Sequence, residues 1–225
     1  MSSEFEYYPD QPIHTECQNA YTILCNAHDA ASSFLQTYND VRTNRGARGT
    51  PTDEEQDLLR AMLLFASAGL DSMSKQLIRE VLPKVLEHNE PASDRFQTFI
   101  ERHLRDGQGI SGRTVAKILA NKNPRNQLID SYVRELTSRS LQSVDEIFKA
   151  GAAFDLPSRD ISPTPNDLRE VFKTRNQIAH EMDVDFARSN RSRRSRSLRN
   201  MKAMTNTIFR ASSAILAGVD SKVDA

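Results

Sequence analysis

The chain has 225 residues, of which 38% are hydrophobic and none is tryptophan, and its 30 basic residues are balanced by 30 acidic ones. This length suits one domain with an embellishment, and the balanced charge does not by itself indicate a nucleic-acid-binding protein. No run approaches the roughly 18 apolar residues of a membrane span. Residues 1–11 are expected to form a flexible N-terminus, and residues 1–10 lack the basic and apolar regions of a signal peptide.

Apolar residues recur at spacings of three and four along most of the chain, which predicts helices rather than strands. The first predicted helix covers residues 12–42, with Ile13 and Cys17 on its apolar face. Cys17 and Cys25 lie too far apart on this helix for a disulfide, so we expect two reduced thiols in a cytoplasmic protein. His28 lies on the same face and is interpreted as a packed or hydrogen-bonded structural histidine.

The second predicted helix begins at a possible capping box formed by Thr52 and Glu55. From Leu58 to Leu70 the residues are apolar on almost every side, with Arg60 as an exception. Such a helix is expected to be the central one, covered by neighbours all round. Pro83 is expected to kink or interrupt it.

Residues 91–123 are interpreted as a small helical insertion, with one short amphipathic helix that carries Phe96 and Phe99. The glycines of residues 107–112 formally match G-x-G-x-x-G. The dinucleotide-binding fingerprint requires a preceding strand, whereas here a charged helix precedes the glycines, so a loop is predicted. Residues 124–154 are predicted to form one long helix, or two with a break at 138–140.

The next predicted helix covers residues 164–182, with Thr164 as a possible cap and Pro165 in the first helical position. Arg175 falls near the middle of its apolar stripe, where a guanidinium is costly unless an anion or partner group meets it. Asn176 and His180 are four residues apart and therefore lie together on the flank of the stripe.

Six arginines follow this helix, before a last helix predicted over 198–219: Arg188, Arg191, Arg193, Arg194, Arg196 and Arg199. They fit RNA phosphates, although a solvated loop is an equally good interpretation. His88 and His103 have no metal-binding residues at ligand spacing, so neither a metal nor another cofactor is expected.

RNA can be cleaved without a metal when one group accepts the 2′-OH proton, another protonates the leaving oxygen, and a cation stabilises the phosphate charge. Histidine suits both proton-transfer roles, and arginine suits the third. The residues Arg175-Asn176-Gln177-Ile178-Ala179-His180 resemble the R-N-x-x-x-H motif of HEPN-domain ribonucleases. Residues 125–130 also begin with Arg-Asn-Gln, but they end in Asp130 instead of a histidine. We interpret this second match as an ordinary helix start. Beyond the motif, the resemblance covers a single helical domain from about residue 12 to 220, followed by a tail at 221–225.

The resemblance implies an all-α, HEPN-like helical bundle that dimerises with two motif helices facing each other across a cleft. It implies a metal-independent endoribonuclease that leaves a 2′,3′-cyclic phosphate and a 5′-OH. Arg175 would hold the phosphate, Asn176 would position substrate or histidine, and His180 would be the acid or base. Toxin and antiviral defence roles occur in the family, together with inhibitory or regulatory protein partners. Some toxin members have a tyrosine where this chain has Met182.

Two other interpretations remain open at this point. One is a non-catalytic HEPN module that binds RNA, nucleotide or a protein partner, and the other is a helical adaptor.

Overall fold

The computed structural model describes residues 5–46, 49–105 and 122–224, together with residues 116, 118 and 120. The three long ranges contain nine α-helices, and among the described residues the only extended pairing is one isolated bridge between Val184 and Arg193. The all-α class predicted from the sequence is therefore confirmed. In chain order the helices are α1 (Gln18–Asn44), α2 (Asp53–Glu80), α3 (Leu82–His88), α4 (Glu90–Arg105), α5 (Pro124–Thr137), α6 (Val144–Ala153), α7 (Ser158–Ile161), α8 (Pro165–Glu181) and α9 (Leu198–Asp220).

Helix α2 begins and ends where local signals predict. The Thr52 side chain accepts from the backbone amide of Glu55, and the Glu55 carboxylate accepts from the Thr52 amide at 2.8 Å. The helix stops at Glu80, and Pro83 lies in the first turn of α3. Because α2 contacts α1, α5, α8 and α9, it is the central helix of the bundle.

Helices α1 and α2 lie antiparallel, as two contacts at their opposite ends demonstrate. Near the start of α1, Asn19 Nδ2 donates to Glu80 Oε1 at 3.0 Å. Near the end of α1, Arg42 Nη1 donates to Glu55 Oε2 at 3.2 Å. Helices α8 and α9 pack against α2 as well.

Two predictions about the first two helices are wrong. Neighbours do not cover α2 on every side, because Phe65 is 49% exposed, with its ring beside that of Phe34 at a centroid distance of 5.2 Å. The first helix begins at Gln18 after a 3₁₀ turn rather than at residue 12, and Ile13 is exposed instead of lying on the apolar face. The spacing of apolar residues at 12–17 matches that of the helix, although these residues precede its first turn.

Helix α8 carries the candidate motif and ends in an unusual turn. Pro165 lies in its first turn as predicted, but Thr164 makes no side-chain capping hydrogen bond. After the helix, Met182 and Asp183 have φ values of 50° and 60°, in the left-handed region that residues other than glycine seldom adopt. The Asp183 amide donates to the Gln177 carbonyl at 2.9 Å, which closes the turn. The buried face of α8 consists of Leu168, Val171, Phe172, Thr174 and Ile178.

Helix α4 packs onto the main core, since the rings of Phe96 and Phe99 lie 5.5 and 4.7 Å from that of Tyr132 in α5. The glycine-rich sequence at 107–112 lies outside the described residues. The break predicted at 138–140 is confirmed, because α5 ends at Thr137 and α6 begins at Val144. Over the described ranges, none of the helices has the length and apolarity needed to cross a bilayer.

Candidate functional site

Arg175, Asn176 and His180 lie together near the C-terminal end of α8. Arg175 Nη1 donates to Asn176 Oδ1 at 3.0 Å and lies 3.3 Å from His180 Nε2. Asn176 and His180 are both exposed, as expected for residues one turn apart on the flank of a helix. A single chain therefore brings all three motif side chains into contact.

The expectation that Arg175 lies in the middle of an apolar face is only half right. Val171 and Ile178, one turn away on either side, are buried, but Arg175 itself is half-buried and its Nη1 reaches the surface. Long cationic side chains commonly bury their stems in this way while the charged end reaches water. Burial lowers the pKa of Arg175, and the nearby charge of Asp71 opposes that shift. Within the described residues, Arg175 Nε is buried and has no hydrogen-bond partner.

The contact between Arg175 and His180 determines which ring nitrogen carries the proton. A guanidinium has no acceptor atom, so in the neutral form of the ring His180 Nε2 accepts this hydrogen bond and the proton lies on Nδ1. An oxyanion that draws Nη1 away from the ring would leave the Nε2 lone pair available to take a proton. The arrangement therefore combines an anion-binding group and a proton acceptor at adjacent atoms.

The six arginines between residues 188 and 199 have different surroundings. Three are partly buried and pair with carboxylates: Arg193 with Asp57, Arg194 with Glu181 and Arg196 with Asp183. Arg188 is exposed and pairs with Asp185 in its own loop at 3.2 Å. Arg191 and Arg199 are exposed, and their side chains make no ion pair or hydrogen bond within the part of the chain that the structure describes. Among the described residues, no carboxylate neutralises the guanidinium groups of these last two.

A buried cluster of charged side chains lies beneath the arginine segment, which is the stretch of residues 188–199. The sequence analysis did not predict this cluster. Arg60 and Asp183 are 2% and 0% exposed, and Arg60 Nε donates to Asp183 Oδ2 at 2.8 Å. Burial acts to raise the pKa of Asp183, but hydrogen bonds from Arg196 and Arg60 outweigh it and hold the pKa below its ordinary value. The signal in the sequence was Arg60 itself, because an arginine within an apolar helix requires a carboxylate.

The same cluster is attached to the motif helix. Arg196 Nη2 donates to Gln177 Oε1 at 3.0 Å, and its Nε donates to Asp183 Oδ2 at 2.9 Å. The backbone amide of Arg194 donates to the Asp183 carbonyl at 2.8 Å. The arginine segment is thus anchored at the end of α8, one turn beyond His180.

A cleft of about 480 Å³ opens beside Asn176. One wall is helix α8, and the other is the first turn of α6 with the residues that precede it. The volume falls within the range of small-ligand sites. The lining residues are Gln142, Ser143, Val144 and Asp145 on one wall, and Arg169, Phe172, Lys173, Asn176, Gln177 and Glu181 on the other.

His28 and the two cysteines lie on α1 or in the 3₁₀ turn that precedes it. His28 lies among the rings of Phe5, Tyr8 and Phe209, at centroid distances of 5.6, 4.8 and 5.0 Å, and burial lowers its pKa. Cys17 and Cys25 are not in a disulfide, as predicted. Over the described residues, no three His, Cys, Asp or Glu side chains come close enough to hold a metal ion.

No family model matches the chain, and comparison with curated proteins and with solved structures finds no match either. The resemblance to HEPN ribonucleases therefore rests on the motif and its place in a helical protein.

Proposed function

We propose that this protein is a metal-independent endoribonuclease that uses Arg175, Asn176 and His180. The observation that carries the proposal is the 3.3 Å contact between Arg175 Nη1 and His180 Nε2 on an accessible helix face. It joins a permanent cation, suited to a phosphate, to a ring nitrogen suited to proton transfer. The resemblance of the motif to that of HEPN ribonucleases supports the same chemistry.

In the proposed reaction, the RNA 2′-oxygen forms a bond to the adjacent phosphorus while the bond from phosphorus to the 5′-oxygen breaks. His180 Nε2 accepts the 2′-OH proton, and a second acid donates a proton to the departing 5′-oxygen. Arg175 stabilises the charge that builds on the phosphate. Binding of the phosphate also takes Arg175 Nη1 away from the ring, so the base becomes available only when substrate is present.

The second acid is proposed to come from a second copy of the chain. One motif supplies a single histidine, whereas the reaction needs a proton acceptor and a proton donor at once. A two-fold dimer with facing α8 helices would supply both. Met182 and Phe186, which follow the motif, are 67% and 63% exposed, and such apolar side chains suit a contact surface. Arg191 and Arg199 are the proposed contacts to phosphates further along the RNA.

Cleavage of labelled RNA in EDTA tests the catalytic assignment. The His180→Ala protein should lose about 10²–10⁴-fold in rate, which is typical for removal of a general acid or base. His88→Ala is the matched control, because His88 is an exposed histidine on α3, outside the motif helix. Equal rates for the two variants, both folded, would refute the role of His180.

Sedimentation together with activity measured over a range of protein concentrations tests the composite site. The specific activity should fall on dilution in parallel with the dimer fraction, because each site needs two chains. A protein that is monomeric at micromolar concentration and still cleaves at its full rate would refute the dimeric site.

A further inference from the structure

One side of helix α2 remains accessible along the whole helix, within the part of the chain that the structure describes. Phe65, near its middle, is 49% exposed, and Ala68, three residues further on, is exposed as well. The exposed or half-buried residues of this side, at positions 54, 58, 61, 65, 68, 72, 76 and 79, recur at spacings of three and four. Such residues lie along one stripe of a helix, which we call the α2 stripe.

The α2 stripe is uncharged except at its two ends. Glu54 lies in the first turn of α2 and Arg79 in its last turn, about 38 Å away along the helix axis. Both side chains are exposed, and neither makes an ion pair or hydrogen bond with a described residue. Phe34 of α1 lies beside Phe65 and adds a second ring to the apolar middle. Exposed apolar residues with a charged rim are typical of surfaces that bind another protein.

The middle of the α2 stripe is complementary in size to a second copy of itself. Ala61 precedes Phe65 by four residues, and Ser72 follows Ala68 by four. Two helices related by a two-fold axis run antiparallel. When Phe65 lies against Ala68 of a second copy, the equal spacing places the other two small side chains against each other as well. Each large ring then meets a small residue, and the two helix backbones can approach closely.

The charges at the ends are complementary in the same register. Glu54 precedes Phe65 by eleven residues, and Arg79 follows Ala68 by eleven. The register that the rings set therefore brings Glu54 of each copy to Arg79 of the other, twice in one dimer. Complementary charges of this kind fix the register of a contact. A partner of unrelated sequence would have to reproduce both the pattern of sizes and the order of charges, whereas a second copy has both by symmetry.

We infer that the α2 stripe binds the α2 stripe of a second copy of this chain, antiparallel and about a two-fold axis between Phe65 and Ala68. The motif helix α8 packs on another side of α2. Arg60, which donates to Asp183 just beyond α8, lies about 140° around the helix from Phe65. The inferred contact is thus separate from a contact between facing α8 helices, and it does not rest on the proposed function.

Sedimentation equilibrium of the full-length protein at micromolar concentrations tests the inference. Phe65→Asp places two charges inside the contact and should raise its dissociation constant by at least about 100-fold, as expected for loss of an aromatic anchor. The mass should therefore fall to half, from tetramer to dimer if the α8 helices also associate and from dimer to monomer if they do not. Leu104→Asp, at an exposed leucine of α4, is the matched control and should keep the wild-type mass. Circular dichroism checks that both variants are folded.

Charge reversal tests the register. Glu54→Arg or Arg79→Glu alone places like charges opposite each other at both ends of the contact and should weaken it about tenfold. The variant with both changes restores opposite charges and should associate within about threefold of the wild type. Two side chains about 38 Å apart cannot pair within one chain, so this rescue requires a second copy in the stated register.

Three results would each overturn the inference: a wild-type protein without self-association, a Phe65→Asp protein with the wild-type mass, or a double variant that associates no better than the single ones. RNA cleavage enters none of these measurements. A wild-type dimer that Phe65→Asp leaves intact would remove the α2 contact and support association through α8. A halved mass in a protein that cuts no RNA would support the α2 contact and remove the ribonuclease assignment.

Discussion

Replacement of Asp183 by asparagine should strongly destabilise the protein, although Asp183 lies outside the motif. The change removes the negative charge from a cluster in which Arg60 is 2% exposed and cannot move into water. Removing one partner of a buried ion pair typically costs about 3–5 kcal/mol. Arg60 keeps a second contact, to the half-exposed Asp57 at 2.9 Å, so we expect a loss near the lower end, about 3 kcal/mol. For a chain of this length that corresponds to a fall in Tm of roughly 6–12 °C.

Thermal and urea unfolding of the purified variant measure this loss. Asp185→Asn is the matched control, because Asp185 belongs to the same loop and its carboxylate pairs with the exposed Arg188 and accepts from the Ala187 amide. Exposed pairs contribute about 0–1 kcal/mol, so the control should unfold close to the wild type. The reasoning is refuted if Asp183→Asn loses no more stability than Asp185→Asn.

Three further predictions follow from other parts of the molecule. Arg191→Gln and Arg199→Gln should each lower the salt dependence of RNA binding by about 0.7 in log–log slope, measured by titration at several salt concentrations, and an unchanged slope would exclude both from the RNA contact. Hydrogen bonds to the carboxylates of Asp224 and Asp220 raise the pKa of His14. The contribution of His14 to the free energy of unfolding should therefore be complete below about pH 6.5, and it should be lost as the pH rises through the raised pKa. The Tm difference between wild type and His14→Gln should therefore be larger at about pH 5.5 than at about pH 8.5, and a constant difference would contradict this. Gly69→Ala should lower the Tm, because the added Cβ would overlap the Cβ of Ala27 in α1 and the two helices would have to separate. An unchanged Tm would disprove this close approach.

The sequence predicts those parts of the fold that depend on residues within one helical turn. Thr52 and Glu55 form the predicted cap, and Pro83 and Pro165 lie in the first turns of their helices. The motif side chains meet for the same reason, since a spacing of four residues brings Asn176 and His180 to one flank of a helix.

Features that join distant parts of the chain were not predictable from local patterns. Arg60 and Asp183 are 123 residues apart, and only the packing of α2 against the end of α8 brings them together. Composition likewise did not distinguish Arg196, which binds Asp183, from Arg191, which is exposed. The cleft depends on the approach of α6 to α8, so the sequence alone could not place its two walls together.

The chemical nature of the RNA ends tests the central claim most directly. Wild-type protein in EDTA should leave a 2′,3′-cyclic phosphate on one fragment and a 5′-OH on the other, because the attacking group is the neighbouring 2′-oxygen. The His180→Ala protein should yield these ends about 10²–10⁴ times more slowly, and His88→Ala at the wild-type rate. Products with 5′-phosphate and 3′-OH ends, or the same ends at equal rates from His180→Ala, would contradict the account.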